Sequence, residues 1–116
     1  MANNIAFQPM GKTVQLTANA SVINVATMFA DSPSNQYLLV NHSNQPVYLW
    51  ISPSDNPVNV ALPTGAGSKS NYALIVPTAT HYVVTGPQCS ATKSVQISVL
   101  SETNGPDVYI TPGEGF

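Results

Sequence analysis

Hydrophobic and polar residues alternate along this chain in short runs, each closed by turn-forming residues. No run holds the spacing of three and four residues that a helix needs. Lys12–Thr17 alternates cleanly, with Val14 and Leu16 on one face, and predicts a half-buried strand. Ser21–Ala26 predicts a second strand. Ala26–Ala30 has room for one helical turn, which is too short to stand alone. Asp31–Asn35 carries Pro33 between serines and is turn material.

Gln36–Asn41 and Val47–Ser52 are rich in aliphatic, β-branched and aromatic residues, and His42–Pro46 separates them. That arrangement predicts a β-hairpin. In Val47–Ser52 the residues Val47, Leu49 and Ile51 alternate with Tyr48 and Trp50, so both faces are apolar. One face belongs on the core and the other under a loop or a partner chain. Pro53–Pro57 turns the chain and Val58–Leu62 extends it again; the small residues of Pro63–Ser68 predict a loop. Tyr72–Val76, His81–Thr85, Val95–Val99 and Asp107–Thr111 complete the set, with Val95, Ile97 and Val99 on the face opposite Gln96 and Ser98.

Short strands with turns every 8 to 12 residues or so are the mark of a sandwich or barrel. The expected fold is all-β: a single β-sandwich of jelly-roll or Greek-key type, with about eight short antiparallel strands. Residues 1–11 form an N-terminal arm and residues 12–116 the sandwich domain. The arm carries Ile5, Phe7 and Met10 among polar residues, and its Pro9 cannot donate to a central ladder. It is expected to gain order from a neighbouring subunit.

Composition changes the picture in one respect. The chain has 116 residues and is 43% hydrophobic, enough for one core, but only 7% are charged. Ordinary soluble domains carry roughly 25%. Arginine is absent, the lysines are Lys12, Lys69 and Lys93, and the net charge is −2. Three scattered lysines cannot neutralise a phosphate backbone, so nucleic acid is not an expected partner. No apolar run approaches the roughly 18 residues of a membrane span, so no membrane partner is expected either. The first residues show neither a basic leader nor an apolar block, which predicts synthesis in the cytoplasm without an export signal. The lone Cys89 has no internal disulfide partner. A neutral, hydroxyl- and amide-rich surface suits a protein covered by neighbours in an assembly.

Candidate chemistry is thin. Gly65-Ala-Gly-Ser-Lys69-Ser70 approaches a phosphate loop, but Ser68 and Thr64 occupy the positions where that loop needs glycine. Cys89, His42 and His81 are the types of a thiol nucleophile and its base, yet no activating signature surrounds Cys89. The histidines and carboxylates lack metal-ligand spacing, and no carboxylate pair marks a cleft. Asn19-Ala-Ser21 and Asn41-His-Ser43 match a glycosylation pattern that means nothing without export. The aromatics Tyr37, Tyr48, Trp50, Tyr72, Tyr82 and Tyr109 lie in strand patterns, which assigns them to packing in the core or at an interface rather than to a sugar platform. The expectation is a protein that is not an enzyme and that binds neither cofactor nor metal.

Three stretches carry a resemblance. Phe7-Gln-Pro-Met-Gly-Lys-Thr-Val-Gln-Leu-Thr17 resembles the first strand of small proteins encoded among tailed-phage structural genes. Tyr37–Asn41 through Gln45–Trp50 is similar to their core of a strand, an Asn, a short loop and an aromatic strand. Val108–Gly115 resembles their final strand with its Gly-rich end. The resemblance is to small virion proteins of the capsid decoration, or cement, type. It implies a structural protein of the virion that binds the outer surface of a phage head. The implied partners are the major capsid protein and copies of itself, a trimer being one such arrangement. The interface residues this favours are Ile5, Phe7 and Met10 of the arm and Tyr48 and Trp50 of the outer sheet face, since interfaces favour buried aromatics. The alternative is a head-fibre or tail-associated module that binds a host-surface carbohydrate. It needs the loops 41–46, 53–57 and 63–70 to converge on one end of the sandwich.

Overall fold

The computed structural model describes residues 7–63 and 72–114. Nine strands build two antiparallel sheets: β1 Gln8–Pro9, β2 Val14–Thr17, β3 Asn24–Met28, β4 Ser34–Asn41, β5 Val47–Pro53, β6 Leu74–Val76, β7 Thr80–Cys89, β8 Val95–Leu100 and β9 Asp107–Glu114. One sheet runs β2-β9-β4-β7, with β1 continuing the β2 edge along β9; the other runs β3-β8-β5-β6. The pairs β2–β9, β3–β8, β4–β7 and β5–β6 are nested about the β5–β6 connection. The chain is thus one long hairpin, rolled until β9 meets β4 and β8 meets β5. That is a jelly roll.

The alternation of the sequence accounts for the core. Leu16, Tyr37, Leu39, Val108 and Ile110 face inward from one sheet, and Val47, Leu49, Ile51, Val95, Ile97 and Val99 from the other. All are buried, and interleaving of two such faces is what holds a sandwich together. Tyr37 is wholly buried and its hydroxyl donates to the Pro87 carbonyl. Gly86 allows this, because a Cβ there would stand 3.1 Å from the Tyr37 ring.

Several expectations are corrected. Gln36–Asn41 and Val47–Ser52 do not form a hairpin, because β4 and β5 lie in different sheets. Both sides of β4 are taken, by β7 and β9, so the chain must arch across the core. Asn41 shapes the arch. Its amide donates to the carbonyls of Gln45 (2.8 Å) and Val76 (3.1 Å) and accepts from Ser43 N (3.0 Å) and Ser43 Oγ (2.7 Å). Val58–Leu62 is not a strand either. Prolines 57 and 63 flank it, and Val60 N donates to Ser98 Oγ (2.8 Å) instead of joining a ladder. The second strand lies later than expected and runs through Met28, which is buried in the core, so Ala26–Ala30 makes no helical turn. Likewise β7 continues through Gly86 and Pro87 to Cys89, beyond the Thr85 where the alternation ends. Gly86, Pro87 and Gln88 bulge opposite Asn35 alone, on an edge strand where Pro87 owes no hydrogen bond.

The described part of the arm returns to this chain's own sheet. Gln8 and Pro9 pair with Glu114 and Gly113, and Met10 N donates to the Pro112 carbonyl (2.9 Å). The edge position is what accommodates Pro9.

Candidate functional site

Cys89 lies buried at the end of β7. Burial pushes its thiol above the ordinary value, while a hydrogen bond with Tyr37 acts in the opposite direction. A protonated thiol without solvent access is a poor nucleophile. His42 and His81 are exposed on the surface. Among the described residues, no three His, Cys, Asp or Glu side chains are grouped so as to hold a metal ion. The phosphate-loop-like stretch 65–70 lies outside the described residues.

Of the interface candidates, Ile5 also lies outside the described residues. Phe7 and Met10 are half-buried at the β1 edge of the first sheet, Phe7 lying over Gly113. Tyr48 and Trp50 are half-buried on the outer face of the second sheet. The structure therefore brings Tyr48 and Trp50 together and places Phe7 and Met10 on the opposite sheet. The outer face at Trp50 is covered by a loop of the same chain. Val58 N donates to Ser52 Oγ (3.0 Å), Gln96 Nε2 to Asn59 Oδ1 (2.8 Å), and Val60 is fully buried. The Trp50 ring packs tilted against Tyr72, with centroids 5.3 Å apart. Tyr72 is 59% exposed, so of the two places its pattern allows it is not in the core.

Two of the three loops expected at a carbohydrate site, 42–46 and 54–57, lie at opposite ends of the sandwich, and residues 64–70 of the third lie outside the described residues. Loop 42–46 enters β5 and loop 54–57 leaves it, so seven residues of strand, roughly 20 Å, separate them. Loop 42–46 is joined instead to the β6–β7 turn (Ala79 N to Ser43 O, 3.1 Å), and loop 54–57 to the β7–β8 turn (Ser94 Oγ to Ser54 Oγ, 2.8 Å).

Two features stand out that pattern reading missed. The first is the free edge of the second sheet. Val25 and Thr27 of β3 face outward beside Ser98 and Gln96, with Ile23 and Phe29 just beyond the strand ends. Val25 is 47% and Phe29 52% exposed. The available signal was the alternation itself, with apolar residues on both faces, and the absence of any charge from residue 13 to residue 30. Proteins normally guard such edges with charge.

The second is a cavity of about 470 Å³ at the open side of the sandwich, between β5, β6 and β7. Its apolar walls are Trp50, Pro53, Val58, Leu74, Val84 and Pro87. It exists because β6 pairs only with Val47–Leu49, which leaves Trp50–Pro53 of β5 with a strand neighbour on one side alone. A smaller cavity of about 350 Å³ lies on the other open side, between β2 and β3, with Lys12 and Asp31 in its lining.

The fold and these surfaces define a jelly-roll protein with an exposed apolar edge strand and an apolar cavity. In comparisons with protein-family models, curated proteins and solved structures, the chain matches none.

Proposed function

We propose that this protein is a structural component of a virion: a capsid decoration protein that binds the outside of a phage head and stabilises it. The observation that supports this best is the uncharged, apolar free edge of β3. A strand with β8 as its one strand neighbour among the described residues, and with Ile23, Val25 and Phe29 exposed along it, is a surface made to be covered. The jelly roll is an architecture shared by capsid and lectin domains, and the poverty of charge accords with a life inside an assembly. The partners in this reading are the major capsid protein and sister copies; it calls for no cofactor, nucleic acid, membrane or enzymatic step. Stabilisation follows from mass action: a subunit that binds only the assembled lattice lowers the free energy of that state with every copy added.

The test is mass spectrometry of purified particles combined with binding of the protein to heads that lack it. Tens to hundreds of copies per particle are expected. Val25→Lys and Phe29→Lys should each abolish head binding while leaving the melting temperature within a few degrees. A handful of copies, or lysine variants that bind as well as the parent, would overturn the assignment.

A further inference from the structure

We infer that the cavity between β5, β6 and β7 is a binding site for a small uncharged molecule built on an apolar ring. The inference stands apart from the virion reading, because the cavity lies on the β6–β7 side and not on the β3 edge.

Four observations carry it. Its volume, about 470 Å³, falls in the range of roughly 300–1,000 Å³ typical of ligand pockets. Its position is set by the fold: β6 ends at Leu74, so a notch opens beside the Trp50–Pro53 half of β5, and the bulged Gly86–Pro87 of β7 forms the facing wall. The shape rests on paired strands.

The third observation is chemical. No charged side chain lines the described cavity. A charged ligand would lose its hydration there without a counter-charge, a cost that an uncharged one avoids. Trp50 offers an aromatic wall, braced by Tyr72, and the prolines and aliphatics complete an apolar lining. Water against such walls makes few hydrogen bonds, and displacing it favours an apolar group.

The fourth is how few polar groups converge. Ser52 is occupied, accepting from Val58 N (3.0 Å) and donating to Val58 O (3.4 Å). Among the lining side chains that leaves Asn56 and Thr85, both exposed, at the rim. One or two rim groups match a ligand with one hydroxyl or amide. They do not match a sugar ring, whose several hydroxyls would each need a partner.

Trp50 is the sole tryptophan, so its emission reports on the cavity directly. The full-length protein is titrated with four probes of equal ring size that are transparent where tryptophan is excited. These are cyclohexanol, cyclohexanecarboxylate, cyclohexylammonium and methyl β-glucopyranoside. Cyclohexanol should give a saturable shift with Kd on the order of millimolar, in keeping with so few heavy atoms. The two charged probes and the glucoside should bind at least about tenfold more weakly. Amide shifts in an NMR titration should cluster at residues 50–58 and 84–87. Val58→Phe, which fills the cavity, should weaken cyclohexanol at least about tenfold; Asn56→Phe, at the exposed rim, serves if Val58→Phe does not fold. The inference is overturned if cyclohexanol gives no saturable response or if the glucoside binds as well as cyclohexanol. Shifts that map elsewhere, or a filled variant that binds normally, would overturn it too.

Discussion

Gly113→Ala is the sharpest probe of how the N-terminal segment is held. Gly113 sits in β9 with Pro9 opposite on one side and Gln36 on the other. Its backbone does not require glycine, since Gly105 is the one described glycine in the left-handed region. Space is what requires it. A Cβ would collide with the Phe7 ring and stand 2.5 Å from the Gln8 carbonyl oxygen. A ring can swing aside, but the Gln8 oxygen is backbone, so β1 itself must lift away. The loss comprises part of the burial of Phe7, about half of the 1.5–3 kcal/mol of a fully buried side chain, and about one hydrogen bond at 0.5–1.5 kcal/mol. The sum, about 1–3 kcal/mol, is the ordinary scale of overpacking. At about 4 °C per kcal/mol for a chain of this size, the melting temperature should fall by about 4–12 °C. The assay is calorimetry in two backgrounds, full length and lacking residues 1–9. The three nearest atoms to the new Cβ all belong to Phe7 and Gln8. In the truncated protein the same substitution should therefore cost less than about 0.5 kcal/mol. Equal losses in both backgrounds would refute the reasoning and place the constraint inside the sandwich.

Asn41→Ala should lower stability by about 1–3 kcal/mol in urea melts, because it takes the amide donor from the Val76 carbonyl and the acceptor from Ser43 N, while the Gln45 carbonyl keeps Ser43 Oγ. Asn41→Asp, which keeps the acceptor and loses both donors, should fare no better. Stability should also decline at alkaline pH. Burial holds Cys89, Tyr37 and Tyr82 above their ordinary values, so the unfolded chain releases these protons first and unfolding gains free energy as pH rises past 9.0, the ordinary thiol value. Melts from pH 7 to 11 should show this fall, with Cys89→Ala moving its onset toward 10.0, the ordinary tyrosine value; a flat profile would contradict the assignment. Filter binding at low salt should retain no DNA or RNA, and saturable retention would mean the charge argument fails.

Much of the fold was legible because burial in a sandwich follows alternation, a local property. Leu16, Val47, Leu49, Ile51, Val95, Ile97 and Val99 all point inward as their spacing predicts. Which strands pair is not local. The sequence from Gln36 to Ser52 carries every mark of a hairpin, and nothing in it records that β7 and β9, which begin 39 and 66 residues beyond Asn41, occupy both sides of β4. Asn41 was the available sign. A buried amide with three bonds to its own arch and a fourth to Val76 in the other sheet matches a crossing between layers better than a turn between neighbours, but its partners are visible only once the chain is folded.

The cavity was hidden for a related reason. Tyr72–Val76 reads as a five-residue strand, whereas Leu74–Val76 alone pairs, and the missing length is what opens the notch beside Trp50. Its far wall comes from Gly86 and Pro87, residues whose types predict a loop. Their place in β7 depends on the bulge opposite Asn35 and on the Tyr37 hydroxyl bound to the Pro87 carbonyl. Tyr37→Phe therefore bears on the cavity at a distance. With the hydroxyl gone, the Pro87 carbonyl loses its partner and the bulge its anchor, at a cost of about 1–2 kcal/mol. The wall formed by Val84–Pro87 should loosen, and cyclohexanol should bind Tyr37→Phe several-fold more weakly than the parent, although Tyr37 itself does not line the cavity. Unchanged affinity at reduced stability would show that the wall is held by the β4–β7 ladder alone.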